Sequence, residues 1–252
     1  MSDSFLRLSK HADASVRLFC FHHAGGMAAM FSRWPAGLPN DVDAVAVQLP
    51  GRAERYAEPA FRRMEPLVRY LADEIRPLLE IPFVFFGHSM GAKVAFALAH
   101  ELRARAVAAP RAVYVAASAA PCLSAPTPGW APSDDDLIAY LTAVGGTPQQ
   151  VLADPAVMAV VLPPLRADLA LAAAWSYSEP EPLSCSIHAL VAEGDQGVTA
   201  ARARLWERET KSAFTLTTFA GDHFFVRDEP AEVLSYLSRE LRRHATVREA
   251  TP

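Results

Sequence analysis

Short runs rich in β-branched and aromatic residues recur along the chain at 16–21, 44–49, 83–86, 112–117, 187–191 and 214–219. Most are continuously apolar rather than alternating, as parallel strands covered on both faces require. Between them the period changes. Leu67, Val68, Leu71, Ile75, Leu78 and Leu79 recur at helical spacing behind Pro66, and Val233, Leu234, Leu237 and Leu241 do so behind Pro230. Proline is tolerated in the first turn of a helix, where its missing N–H has no partner to lose. Both stripes therefore predict helices that pack on a sheet. Alternating strands and helices predict an α/β fold with a mostly parallel central sheet.

One segment breaks the alternation. From 118 to 177 the chain has Pro121, Pro126, Pro128 and Pro132 in quick succession, then amphipathic stretches at 136–144 and 157–174. We read 118–177 as a helical insertion. It is either extra packing or a lid, since insertions in α/β folds sit at the loop end of the sheet, where ligands bind.

At 252 residues, 51% hydrophobic and 21% charged, the chain fits one globular domain, 1–252. A net charge of −4 gives no basic field for a nucleic acid. Asp3, Arg7, Lys10, Asp13 and Arg17 interrupt any leader-like run, and apolar windows such as 156–165, with its two prolines, fall short of the roughly 20 residues that span a bilayer. The expectation is a soluble, cytoplasmic monomer with no membrane partner. Cys20, Cys122 and Cys185, odd in number and without a C-x-x-C pair, read as free thiols.

The sharpest chemical signal is Gly87-His88-Ser89-Met90-Gly91, a G-x-S-x-G directly after the run at 83–86 and directly before an Ala-rich helical stretch at 92–105. The bare pattern arises by chance in roughly one chain of this length in ten. Its placement between strand and helix is what makes it specific: a strained turn thrusts the serine out, and the flanking glycines let neighbouring backbone pass. A serine hydroxyl needs a base to accept its proton and an acid to orient that base. In sheets that carry such an elbow the order along the chain is serine, acid, histidine.

Four histidines follow Ser89. His100 lies on the elbow's own helix, His188 in a strand and His244 near the end of the last helix, which leaves His223, in a loop after the final strand. Asp195 follows the run at 187–191 and is the favoured acid. Asp222 competes, but a neighbour of the base needs an awkward backward turn to reach its ring; Glu193 is a lesser alternative. Asp134, Asp135, Asp136 and Asp168 fall in the insertion and read as a helix start and solvated face. For the oxyanion, backbone N–H groups are expected from Met90 and from the turn His22-His23-Ala24-Gly25-Gly26, at Ala24 or else its neighbour His23. The paired histidines lack a third ligand at local spacing, so no metal is expected.

Together, Leu18-Phe19-Cys20-Phe21 leading into Ala24-Gly25-Gly26, Gln48-Leu49-Pro50-Gly51-Arg52-Ala53-Glu54-Arg55, the Gly87 to Gly91 elbow, Leu165-Arg166-Ala167-Asp168, Asp195 three before Val198, and Gly221-Asp222-His223-Phe224-Phe225 resemble the type II thioesterases, over nearly the whole chain. These are α/β-hydrolase enzymes that edit polyketide synthases and non-ribosomal peptide synthetases. The resemblance maps the family's triad onto Ser89, Asp195 and His223. It departs at His22, where the family often has proline, and at Ala192-Glu193-Gly194, before the acid. It implies hydrolysis of acyl groups from the phosphopantetheine arm of acyl or peptidyl carrier protein domains through an acyl-serine, with no cofactor of the enzyme's own. Arg52, Arg55, Arg62 and Arg63 then become candidates for meeting an acidic carrier, against a plain solvated loop. The other readings are a carboxylesterase or lipase-like serine hydrolase, because the same triad cleaves oxygen esters, and a non-catalytic carrier-binding protein.

Overall fold

The computed structural model describes residues 3–123, 127, 130–177 and 181–246. Its sheet comprises β1 (Phe5–Arg7), β2 (Val16–Phe21), β3 (Val42–Val47), β4 (Phe83–His88), β5 (Ala112–Ala116), β6 (Ser186–Ala192) and β7 (Phe214–Phe219), in the order β1-β3-β2-β4-β5-β6-β7. All neighbours are parallel except β1, which pairs antiparallel with β3. The three residues of β1 are too few to show any period, and the sequence pattern does not predict them.

Strand β3 starts and ends two residues earlier than the apolar run at 44–49 predicts. Asp43 is the reason. It lies inside the strand opposite Arg17 of β2, whose Nε donates to Asp43 Oδ2 at 2.8 Å. Both side chains are buried, and Arg17 also donates to the Leu78 carbonyl. A paired charge in the core escapes a search for apolar runs.

Helices α1 (Met64–Ile75), α2 (Met90–Ala104), α3 (Asp134–Val144), α4 (Gln149–Leu152), α5 (Pro155–Ala174), α6 (Ala200–Arg204), α7 (Phe225–Asp228) and α8 (Pro230–Thr246) accompany the sheet, with short 3-10 turns between elements. Pro66 falls in the first turn of α1 and Pro230 opens α8. The predicted stripe runs on to Leu79, yet α1 stops at Ile75, because Pro77 turns the next residues into a 3-10 turn, Arg76–Leu78. Successive strand residues serve opposite faces. Phe83 and Phe85 join Leu67 and Leu71 of α1 and Phe96 of α2 on one side, while Val84 and Phe86 join Trp34 and Val233 and Leu237 of α8 on the other.

The insertion folds as α3, α4 and α5 around a small core of its own, formed by Leu137, Leu152, Met158, Leu162 and Leu165. Ser133 and Asp136 cap α3 reciprocally, so Asp136 belongs to a helix start. Asp168 does not share that role: it is 1% exposed. Helix α5 runs 20 residues and is long and apolar enough to cross a membrane by length and composition alone, longer than the apolar windows in the sequence suggest. It carries Pro163 and Pro164 in its interior and the charged pair Arg166 and Asp168, each in an ion pair.

Phe19, fully buried, meets Phe5, Phe83 and Phe85 edge-on at 5.8, 5.9 and 5.8 Å. Phe19→Ala is expected to lower the unfolding free energy by about 3–5 kcal/mol in urea titration; a loss under about 1 kcal/mol would show that this cluster collapses around the missing ring.

Candidate active site

Strand β4 ends at His88 and α2 begins at Met90, so a single residue makes the turn. That residue, Ser89, has φ 55° and ψ −115°, a left-handed conformation that a side-chain-bearing residue holds only at a cost of roughly 1–3 kcal/mol. Its amide donates to the Ala116 carbonyl at 2.8 Å, tying the turn to β5. The two glycines are required by contact distance. A Cβ on Gly87 would lie 2.4 Å from the Ala92 backbone, and one on Gly91 would lie 2.3 Å from the Phe21 carbonyl oxygen at the end of β2. Strands β2 and β4 are neighbours where the strand order reverses, which opens a crevice at their carboxyl ends.

Into that crevice come the loops after β6 and β7. His223 Nδ1–H donates to Asp195 Oδ2 at 2.7 Å, which leaves Nε2 to accept from Ser89 Oγ at 3.1 Å. Asp195 is buried, and its other oxygen accepts from the Gly197 and Val198 amides at 2.9 and 3.0 Å. Burial alone would raise its pKa; the bond and charge of His223, with the two amides, outweigh that and leave it below the ordinary 3.8. Asp222 is exposed and its carboxylate accepts from the Phe224 amide at 2.8 Å, while Glu193 is exposed. Asp195 is thus the carboxylate that meets the imidazole.

The turn after β2 forms the opposite wall. Ala24 and Gly25 share a cavity of about 90 Å³ with Ser89 and His223. The insertion contributes Tyr140, Leu141, Val161 and Leu165 to the same cavity. No hydrogen bond within the protein occupies the Ala24 or Met90 amide among the described residues. His22 donates from Nδ1 to the His23 carbonyl at 2.7 Å, and His23 donates from Nδ1 to the Ala24 carbonyl at 2.9 Å. His88 donates from Nε2 to the His223 carbonyl at 2.8 Å, holding the backbone of that loop. Burial lowers the pKa of all three, His23 to about 4, so they stand neutral, His23 and His88 beside His223. Among the described residues no three His, Cys, Asp or Glu side chains converge as a metal site needs. A larger crevice of about 280 Å³, between α1 and α2 beside Trp175, contains none of these groups.

Two of the four arginines proposed for a protein surface are buried instead. Arg55 is held by Glu58, Ser4 and the Gln48 carbonyl. Arg52, 3% exposed, pairs with Asp168 through Nη1 to Oδ2 at 2.6 Å and Nη2 to Oδ1 at 2.8 Å. Arg62 and Arg63 remain exposed. Asp168 was legible in principle: it lies on the same helical stripe as Leu165 and Leu171, and a carboxylate on an apolar stripe needs a partner. Phe224, from the Gly221 to Phe225 motif, also lines the cavity, as does Arg227, which carried no sequence signal. Arg227 stacks over the Phe224 ring and donates to the Gly146 carbonyl at 2.9 Å, joining the loop after β7 to the insertion.

A family model described as "Thioesterase domain" matches residues 16–241. The chain is 35% identical over 239 residues to the gramicidin S biosynthesis protein GrsT of Aneurinibacillus migulanus, covering 94% of this chain and 93% of GrsT. Among solved structures, the thioesterase RedJ from the prodiginine biosynthetic pathway of Streptomyces coelicolor matches with a TM-score of 0.85 at 33% identity, covering 92% of this chain and 94% of RedJ. The type II thioesterase BorB from the borrelidin biosynthetic cluster matches with the same score and identity, covering 97% and 99%.

Burial also holds His100 and His188 at about 4, against an ordinary 6.5. An unfolded chain takes up protons on such histidines below about 6.5, while the native protein resists until about 4, so stability falls with pH across that window. The urea midpoint is expected to be lower at pH 4.5 than at pH 7.5. A midpoint constant across this range would contradict the buried, neutral histidines.

Proposed function

The chain belongs to the thioesterase family and is a thioester hydrolase, and from that premise we propose that it edits a polyketide synthase or non-ribosomal peptide synthetase in the cytoplasm. Its substrate is an acyl group on the phosphopantetheine arm of an acyl or peptidyl carrier domain. What carries the reading is the continuous hydrogen-bonded line from Asp195 through His223 to Ser89 at the wall of a cavity. The relatives are named for gramicidin S, prodiginine and borrelidin biosynthesis.

The chemistry uses only groups of the protein. Ser89 Oγ attacks the thioester carbonyl carbon as its proton passes to His223 Nε2, and Asp195 stabilises the imidazolium. The oxyanion takes hydrogen bonds from the Ala24 and Met90 amides. Collapse breaks the C–S bond, and the departing sulfur takes the proton from His223, leaving acyl-Ser89. A thiolate leaves readily, so little acid assistance is needed. Water then attacks the acyl carbon with His223 as base, and the carboxylic acid departs as the Ser89 hydroxyl is restored.

Residues 118–177 act as the lid in this proposal. Tyr140, Leu141 and Val161 line the cavity that holds Ser89, so their positions set how a long acyl chain enters it. Removing lid residues is expected to change the ratio of activity on carrier-bound to free acyl thiols; an unchanged ratio counts against gating.

The decisive experiment is mass spectrometry of carrier domains loaded with acetyl, propionyl and longer groups. Wild-type protein is expected to unload them, and faster than it cleaves matched oxygen esters. Ser89→Ala is expected to lower turnover by about 10⁴-fold or more, and Asp195→Asn by about 10⁴-fold. Turnover by Ser89→Ala within about tenfold of wild type would overturn the reading.

A further inference from the structure

The ion pair between Arg52 and Asp168 joins two segments that the family resemblance singles out and the triad leaves unused. Both side chains are buried, and removing two charges from water is not recovered by their attraction alone. Two further bonds of the pair reach the turn after β2. Asp168 Oδ2 also accepts from the Gly25 amide at 2.8 Å, and Arg52 Nη1 donates to the Gly26 carbonyl at 3.2 Å. The remaining guanidinium contacts go to the Pro50 carbonyl at 3.4 Å. One carboxylate and one guanidinium thus hold both ends of the Gly25-Gly26 backbone.

That backbone decides where the Ala24 amide points. In a trans peptide the N–H and the preceding C=O are opposed, and no cis bond is present among the described residues. The His23 carbonyl shares its peptide plane with the Ala24 amide. It accepts from the Gly26 amide at 3.0 Å and from His22 Nδ1 at 2.7 Å on one side, so the Ala24 N–H faces the other. The bond from Gly26 exists only while the turn keeps its shape, with Gly25 at φ +73° and packed on Leu165, where a Cβ would lie 3.2 Å from Cδ1. Leu165 stands one helical turn before Asp168, and Leu171, one turn after, is buried in the main core. The face of α5 that grips the turn is therefore fixed to the body of the protein.

We infer that Arg52 and Asp168 are positioning residues for the oxyanion site: their pair clamps Gly25 and Gly26 so that the Ala24 N–H meets the developing oxyanion. The inference rests on the proposed role of Ala24 as oxyanion donor. It predicts a loss in the transition state with substrate binding spared. The test uses acetyl-N-acetylcysteamine, a free thioester that needs no carrier docking, with Ser89→Ala alongside. In Arg52→Met/Asp168→Leu both charges leave together, a replacement that buried ion pairs commonly tolerate in stability. Its kcat is expected to fall by about 100-fold, the scale of a lost oxyanion donor, with KM and the unfolding temperature close to wild type. Arg52→Lys keeps the charge but not the fork that reaches both carboxylate oxygens and Gly26, and is expected to fall between the two.

A double variant that keeps wild-type kcat while Ser89→Ala is inactive overturns the positioning role and leaves the reading of Ser89 standing. A raised KM at unchanged kcat assigns the pair to substrate holding and overturns it too. Activity in Ser89→Ala overturns both readings. Should the double variant not fold, Arg52→Lys decides alone: reduced kcat at unchanged KM supports the clamp, and unchanged kcat refutes it.

Discussion

The structure turns on a close approach of backbone to backbone. Helix α2 leaves β4 after one residue and crosses so near the end of β2 that Gly91 meets the Phe21 carbonyl with no room for a Cβ. That contact, with the matching one at Gly87, holds Ser89 in a backbone conformation it would not adopt alone. It also sets the serine beside the turn that follows β2. Strain at Ser89 and proximity of the opposite wall are thus two results of one packing constraint.

Around this point charge is rationed by burial. His23 and His88 lie close to His223, and they and His22 are too enclosed to hold a proton at neutral pH. They serve as neutral hydrogen-bond donors to backbone carbonyls. Asp195 is enclosed too, yet it stays ionised because two amides and His223 replace the water it lost. The same environment therefore keeps one imidazole next to a negative charge and deprives its neighbours of one.

Much of this was readable from the chain. The parallel strands announced themselves as apolar runs because both of their faces are covered, and the elbow did so because its glycines sit at the strand-to-helix junction. The histidine emerged from its loop position and chain order. What escaped reading was polar and buried. Asp43 hid the start of β3, and Asp168 looked like one more surface carboxylate beside Asp134 to Asp136. A one-dimensional pattern gives a charged residue no address for its partner: Arg17 is 26 positions from Asp43 and Arg52 is 116 from Asp168. The short β1 escaped for the opposite reason, since three residues hold no pattern at all.

Pro163 and Pro164 divide α5 into two parts with different freedoms. Neither proline has an N–H to offer the carbonyl four residues before it, so the helix is weakest at that joint. Downstream, Leu165, Asp168 and Leu171 are committed to the turn and the core. Upstream, Val157 and Val160 are exposed and Val161 lines the chamber, while Met158 and Leu162 pack only within the insertion's own core. Mutation can accordingly reshape the chamber wall without disturbing the turn that Asp168 grips, and descendants of this sequence can acquire a taste for different cargo through changes confined to a single half-helix.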